Sequence, residues 1–146
     1  MPTLNSILED PQRSVAIADL STFAEKTAQN QSGMTGMTLK TGLKAARKVD
    51  SEIVPRGVTR LLPDVVEALN PLWQDYSDSA EEQDFGVYLG AHSAQAIDAL
   101  LAVADRHAEK LGGPLGTAYS ALRGKASKII EPTLPELGAI LEKHAV

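Results

Sequence analysis

Residues 32–49, SGMTGMTLKTGLKAARKV, decide the fold of this chain. The stretch admits three readings: a phosphate-binding glycine loop, a membrane-seeking helix, or one amphipathic helix of a bundle. A phosphate loop needs a Gly-Lys-Ser/Thr ending and a preceding strand, and both are missing. A membrane-surface helix wants Trp, Phe or Leu across its apolar face, whereas this face mixes Leu39 and Leu43 with Ala46 and Val49. Leu39, Leu43, Ala46, Val49 and Ile53 recur at i, i+4, i+7, i+10 and i+14, which is a helical stripe. Lys40, Lys44, Arg47 and Lys48 form a second stripe, roughly 140° away at about 100° per residue. The spacing predicts a helix with a buried Leu/Ala/Val face and an exposed basic face.

Towards the N-terminus, Asp10 is a good cap for a first helix with Pro11 at its first position. Ala16, Leu20, Phe23, Ala24 and Thr27 would form its buried face, and a short turn at residues 4–8 is expected before it. Gln29-Asn30-Gln31-Ser32-Gly33 should end it.

Towards the C-terminus, Pro55 should end the basic helix or start the next. Val58, Leu61, Leu62, Val65 and Leu69 follow as a stripe. Pro63 interrupts it, so a kink or two short helices are expected, and Asn70-Pro71 reads as a stop. Residues 74–84, QDYSDSAEEQD, read as an acidic loop, with a helical turn over 84–90. Ser93 would cap a helix with Ile97, Leu100, Leu101, Ala104, Ala108 and Leu111 on one face, stopped by Gly112 and Pro114. Tyr119, Leu122, Ala126, Ile129 and Ile130 carry the next. Thr133-Leu134-Pro135-Glu136 reads as a capping box opening a last helix, with Leu137, Ile140, Leu141 and His144 on its stripe. No run alternates long enough to argue a strand, and no Asn-Gly or Asp-Gly hairpin signal occurs. The expectation is an all-α single domain over residues 1–146, a compact bundle of about five to seven short, partly proline-kinked helices.

Charge narrows the function. The net charge is −5, yet residues 40–60 carry six cations against Asp50 and Glu52, a local +4. Residues 61–105 carry nine acids and no Lys or Arg. Such a dipole steers a partner, pairs two copies, or closes on itself within one monomer. With no aromatic interleaved among few cations, single-strand nucleic-acid stacking is not expected. The absence of cysteine excludes disulfide scaffolds, thiolate metal sites and thiol catalysis, and suits a reducing compartment. The start MPTLNSILEDPQR has acids where a secretory signal needs a basic, apolar run. A cytoplasmic protein is expected.

Catalytic patterns fail in turn. Asp84-Phe85-Gly86 matches a kinase tripeptide without the rest of a kinase. Asp105-x-His107-x-Glu109 and Glu142-x-His144 place their members on nearly opposite sides of a helix, so neither is a metal set. No catalytic residue, cofactor or metal is expected, and the reading leans against an enzyme. Trp73, Tyr76, Phe85 and Tyr88 put four of six aromatics around the acidic loop, either as a patch for a partner or, with more weight, as a staple holding that loop down. The candidate partner-binding residues are Lys40, Lys44, Arg47, Lys48, Arg56, Arg60, Trp73 and Tyr76. The expected role is a structural or protein–protein interaction one, with another protein or a second copy as partner and neither nucleic acid nor membrane. The alternative is an apolar small ligand held between helices, with Met34 and Met37 in its lining.

The stretches SGMTGMTLKTGLKAARKVDSEIVPRGVTRLLPDVVEALNPLWQDY (32–76), DFGVYLG (84–90), IDALLAVADRHAE (97–109) and LGAILEKHA (137–145) resemble a family of small actinobacterial proteins known only as a domain of unknown function. Its landmarks here would be Gly33, Gly36, Lys40, Lys44, Pro55, Leu61-Leu62-Pro63, Trp73 and Lys143-His144. The resemblance implies a compact helical cytoplasmic protein and brings no catalytic residues.

Overall fold

The structure, a computed structural model, describes residues 2–79, 84–110 and 112–146. The described residues form eight α-helices and no strand: α1 (Gln12–Asn30), α2 (Gly33–Val49), α3 (Ile53–Asp78), α4 (Phe85–Ala91), α5 (Ser93–Ala108), α6 (Gly113–Leu122), α7 (Ala126–Ile130) and α8 (Leu134–His144). Six of these have ten residues or more. Three 3-10 turns, Leu4–Leu8, Arg123–Lys125 and Glu131–Thr133, join the set. The all-α class and the turn at Leu4–Leu8 are as the sequence predicts.

The largest departure is α3. It runs unbroken for 26 residues through both Pro63 and Pro71, where a kink or two short helices and then a stop were expected. It also absorbs the first part of the expected acidic loop, of which residues 80–83 lie outside the described residues. Both prolines face solvent, the side on which a carbonyl deprived of its N–H partner is least costly. An interior proline costs about 3 kcal/mol. Leu62, Val66, Leu69, Leu72 and Trp73 form one buried stripe on the other side, and burying five such side chains contributes roughly 10 kcal/mol. The stripe wins over the two prolines.

Asp84 caps α4, its carboxylate accepting the Val87 N–H at 2.7 Å. α4 crosses α8 where two glycines meet. A Cβ at Gly138 would stand 2.5 Å from the Gly86 Cα, and one at Gly86 would stand 2.2 Å from the Pro135 carbonyl oxygen. Only bare backbone permits this approach, and it lets Phe85, Leu89, Leu134 and Leu141 reach full burial. α5 leaves α4 at an angle of 95°. His92 occupies the cap position and Ser93 is the first helical residue, so the expected Ser93 cap does not form.

Pro114 opens α6 instead of stopping α5, which ends at Ala108; Leu111 lies outside the described residues. The expected capping box at Thr133 also does not form, because the hydroxyl donates backwards to the Ile130 carbonyl at 2.6 Å. No single described helix is long and apolar enough to cross a membrane.

The main core joins Leu4 and Ile7 with side chains of α1, α3, α4, α5 and α8. No residue of α2 or α6 belongs to it. Those two helices pack chiefly on each other and form a layer at the side of the core.

Candidate binding face and apolar recess

α2 begins at Gly33, so the glycine-rich opening of the basic stretch is itself helical. Its buried positions are Gly36, Gly42 and Ala46, with Leu39 and Leu43 half-buried. The predicted stripe ends there. Val49 is 86% exposed and Ile53 starts α3, because the chain turns at Asp50 before the stripe can continue. Gly42 lies against Ala118 of α6; a Cβ there would be 3.0 Å from the Ala118 methyl. The short residues set this helix pair close together.

The opposite side of α2 is open. Lys40, Lys44 and Lys48 are exposed, and none forms an ion pair among the described residues. Met34 and Met37 are exposed beside them. Arg47 leans onto α1 and pairs with Glu25. Arg56 pairs locally with Asp50 at 3.2 Å, and Arg60 is exposed. The structure therefore brings Lys40, Lys44 and Lys48 onto one solvent face and ties Arg47 and Arg56 down.

Trp73 and Tyr76, the two aromatic candidates for partner binding, lie away from that face. Trp73 is 3% exposed and its indole N–H donates to the Pro2 carbonyl at 3.2 Å. The cause is the unbroken α3, which carries both rings to its buried side. There Trp73 meets Phe85 edge-on with ring centroids 4.8 Å apart, and Tyr76 lies 5.3 Å from Phe85 and 5.6 Å from Tyr88. Tyr76 donates its hydroxyl to Glu142, whose other oxygen accepts the Phe85 N–H at 3.2 Å. Burial first, and the Glu142 carboxylate second, push the Tyr76 phenol up to about 12. The rings fasten α3 to α4 and α8; the loop they were expected to hold down is helical through Asp78, and residues 80–83 lie outside the described residues.

The histidines separate as their spacing requires. His107 lies 2.7 Å from Asp64, while Asp105, two residues away, faces α6. His144 is buried and lies 2.6 Å from Asp19 on α1; Glu142 points the other way, to Tyr76. The His144 hydrogen bond, then Lys143 at 3.3 Å, hold the Asp19 carboxyl below its ordinary value. No group of three metal-ligating side chains gathers among the described residues.

A recess of about 250 Å³ opens where the α2–α6 layer meets α7. Leu39, Leu115, Leu122, Ile129 and Ile130 line it, together with the ring of Tyr119 and the stem of Arg123. Both polar tips are drawn to Asp105 on α5. Tyr119 donates its hydroxyl to this carboxylate, and Arg123 grips it twice, Nε at 2.8 Å and Nη2 at 3.0 Å. The Arg123 pairing keeps the Asp105 carboxyl below its usual value, and burial with the Asp105 charge pushes the Tyr119 phenol up to about 12.

The walls of this recess carry a charge pattern that the net charge conceals. Residues 33–49 hold four cations and no acid, and residues 113–130 hold Arg123, Lys125 and Lys128 and no acid. The exposed acids Glu67, Asp75, Asp78 and Asp98 lie on α3 and α5 and make no ion pair among the described residues. Of the three uses open to the charge dipole, closure within one monomer is not made through direct ion pairs among these residues. Leu115 and the cation-only stretch 113–130 escaped the sequence reading. The missing acids in 113–130 were a visible signal, overshadowed by the larger acidic block before it.

No curated protein and no solved structure matches the chain. A model of a family of unknown function, DUF6918, matches residues 4–145. With nearly the whole length matched, the chain belongs to that family.

Proposed function

We propose that this is a non-enzymatic interaction protein whose basic α2 face docks an acidic protein surface, a second copy of the chain being the partner whose chemistry is at hand. One observation carries the reading: among the described residues, Lys40, Lys44 and Lys48 stand exposed and without an ion pair on α2, while Glu67, Asp75, Asp78 and Asp98 stand exposed and without one on α3 and α5. Complementary faces of this kind steer association and are screened by salt. The cysteine-free composition suits work in a reducing cytoplasm.

Sedimentation velocity at about 20 mM and about 300 mM salt tests it. An assembly at the lower salt that dissolves at the higher is expected, and Lys40→Glu/Lys44→Glu/Lys48→Glu should be monomeric at both. A wild-type protein that is monomeric at both salts rejects association between copies. A second reading, an apolar small ligand between helices, is supported by the recess of about 250 Å³. A melting shift with an apolar probe tests that reading separately.

A further inference from the structure

The recess beside α6 differs from an ordinary exposed apolar patch. None of its lining side chains is among the large hydrophobics exposed on the surface; apart from the exposed Arg123, they are buried or half-buried around a cleft. A cleft between helices takes a narrow chain more readily than a flat partner surface. Its volume, about 250 Å³, exceeds the roughly 150 Å³ apolar cavity that accepts benzene and falls just below the range of about 300–1,000 Å³ typical of drug-sized ligands. The lining is hydrocarbon, because Asp105 holds the Tyr119 hydroxyl and the Arg123 guanidinium. A ligand's own polar group would therefore remain at the mouth.

The surroundings choose the sign of that group. The two walls, 33–49 and 113–131, carry seven cations against one acid, Glu131, in a chain of net charge −5, and five of the cations remain once Arg47 and Arg123 are paired. Lys125 and Lys128 are exposed and adjoin the lining residues Ala126 and Ile129 in sequence, against a single exposed acid, Glu131, beside Ile130. The Asp105 charge is already matched by Arg123. The local potential favours an anion over a cation or a second neutral chain.

We propose that this recess binds the hydrocarbon tail of a single-chain anionic amphiphile, a medium-chain carboxylate, with its head at the cationic rim. The proposal rests on the apolar-ligand reading above and adds to it the charge of the head and the shape of the tail.

Methyl NMR spectra of the full-length protein, titrated separately with monomeric decanoate and 1-decanol, test both layers. Decanoate is expected to shift the methyls of Leu39, Leu115, Leu122, Ile129 and Ile130 and leave those of Leu69 and Leu141 in the main core unmoved. Lys125→Glu/Lys128→Glu changes only exposed side chains and should weaken decanoate on the order of tenfold, with decanol unaffected. Ala126→Phe should fill the recess and abolish both; if it fails to fold by circular dichroism, Ile129→Ser should weaken both. Equal binding of decanol and decanoate, or indifference to the charge reversal, would overturn the anionic proposal and leave the apolar-ligand reading standing. No movement with either probe would overturn both. Binding to phosphatidylglycerol vesicles without any response to monomeric decanoate would also overturn the proposal, in favour of a membrane-surface role.

Discussion

At the residue scale, two tyrosines are tied to carboxylates. Tyr76 bonds Glu142 and Tyr119 bonds Asp105, and both phenols are pushed up to about 12, by burial first and the carboxylate second. A phenol whose folded value is raised gives stability that is complete below pH 10 and declines as pH rises from there towards 12. Absorbance at alkaline pH should therefore resolve two late-ionising tyrosines, and Asp105→Asn should bring Tyr119 back towards 10 without moving Tyr76. Asp19 runs in the opposite direction. His144 and Lys143 hold its carboxyl below the ordinary value of 3.8, so its contribution is present above that value and is lost as pH falls below it. Acid unfolding of Asp19→Asn should lack that component, with a transition less steep below pH 4 than in the wild type. That Asp105 and His107, and Glu142 and His144, turn to different neighbours was legible from spacing, since i, i+2 residues point to nearly opposite sides of a helix. Their partners, Asp64 and Asp19, come from other helices and had no signature in the sequence.

At the scale of elements, α3 and the α4–α8 crossing carry the lessons. α3 tolerates Pro63 because the proline is exposed and the stripe opposite is buried. Pro63→Ala restores an N–H to the helix ladder and should stabilise the protein by about 1–2 kcal/mol, seen as a rise of a few degrees in the thermal midpoint. Gly138→Ala should act the other way. Its Cβ would meet the Gly86 backbone at 2.5 Å, where no flexible side chain can yield, and overpacking of this sort costs about 1–3 kcal/mol or more. Chemical denaturation should show the lower midpoint. The stripe of α3 was readable as periodicity. Its continuity was not, because local rules weigh a proline without knowing how much apolar area lies on both sides of it.

At the scale of the molecule, the chain is a packed core of α1, α3, α4, α5 and α8 with the α2–α6 pair laid against its side. The side layer is held by small residues, Gly42, Ala46 and Ala118, and by Leu122, which bury less apolar area than the Leu, Phe and Trp side chains of the core. Local opening should follow that difference. Native-state hydrogen exchange is expected to release the amides of α2 and α6 through openings of lower free energy than those of α3 and α8. Uniform protection across all four helices would show one cooperative unit instead.

What the sequence by itself determined was periodicity and charge: the helical class, the faces of α1, α5 and α8, the basic side of α2 and the turn before α1. These depend on residues within a turn or two of one another, so chain order is enough to read them. What only the tertiary structure decided was how those faces are used. It carried Trp73 into the core and packed Tyr76 against it, cut the α2 stripe at Val49, joined α3 through two prolines, and brought Leu39 together with Leu115 and Ile129 around one recess. Each depends on apolar area or charge brought together from distant parts of the chain, and those free energies exist only once the helices have packed.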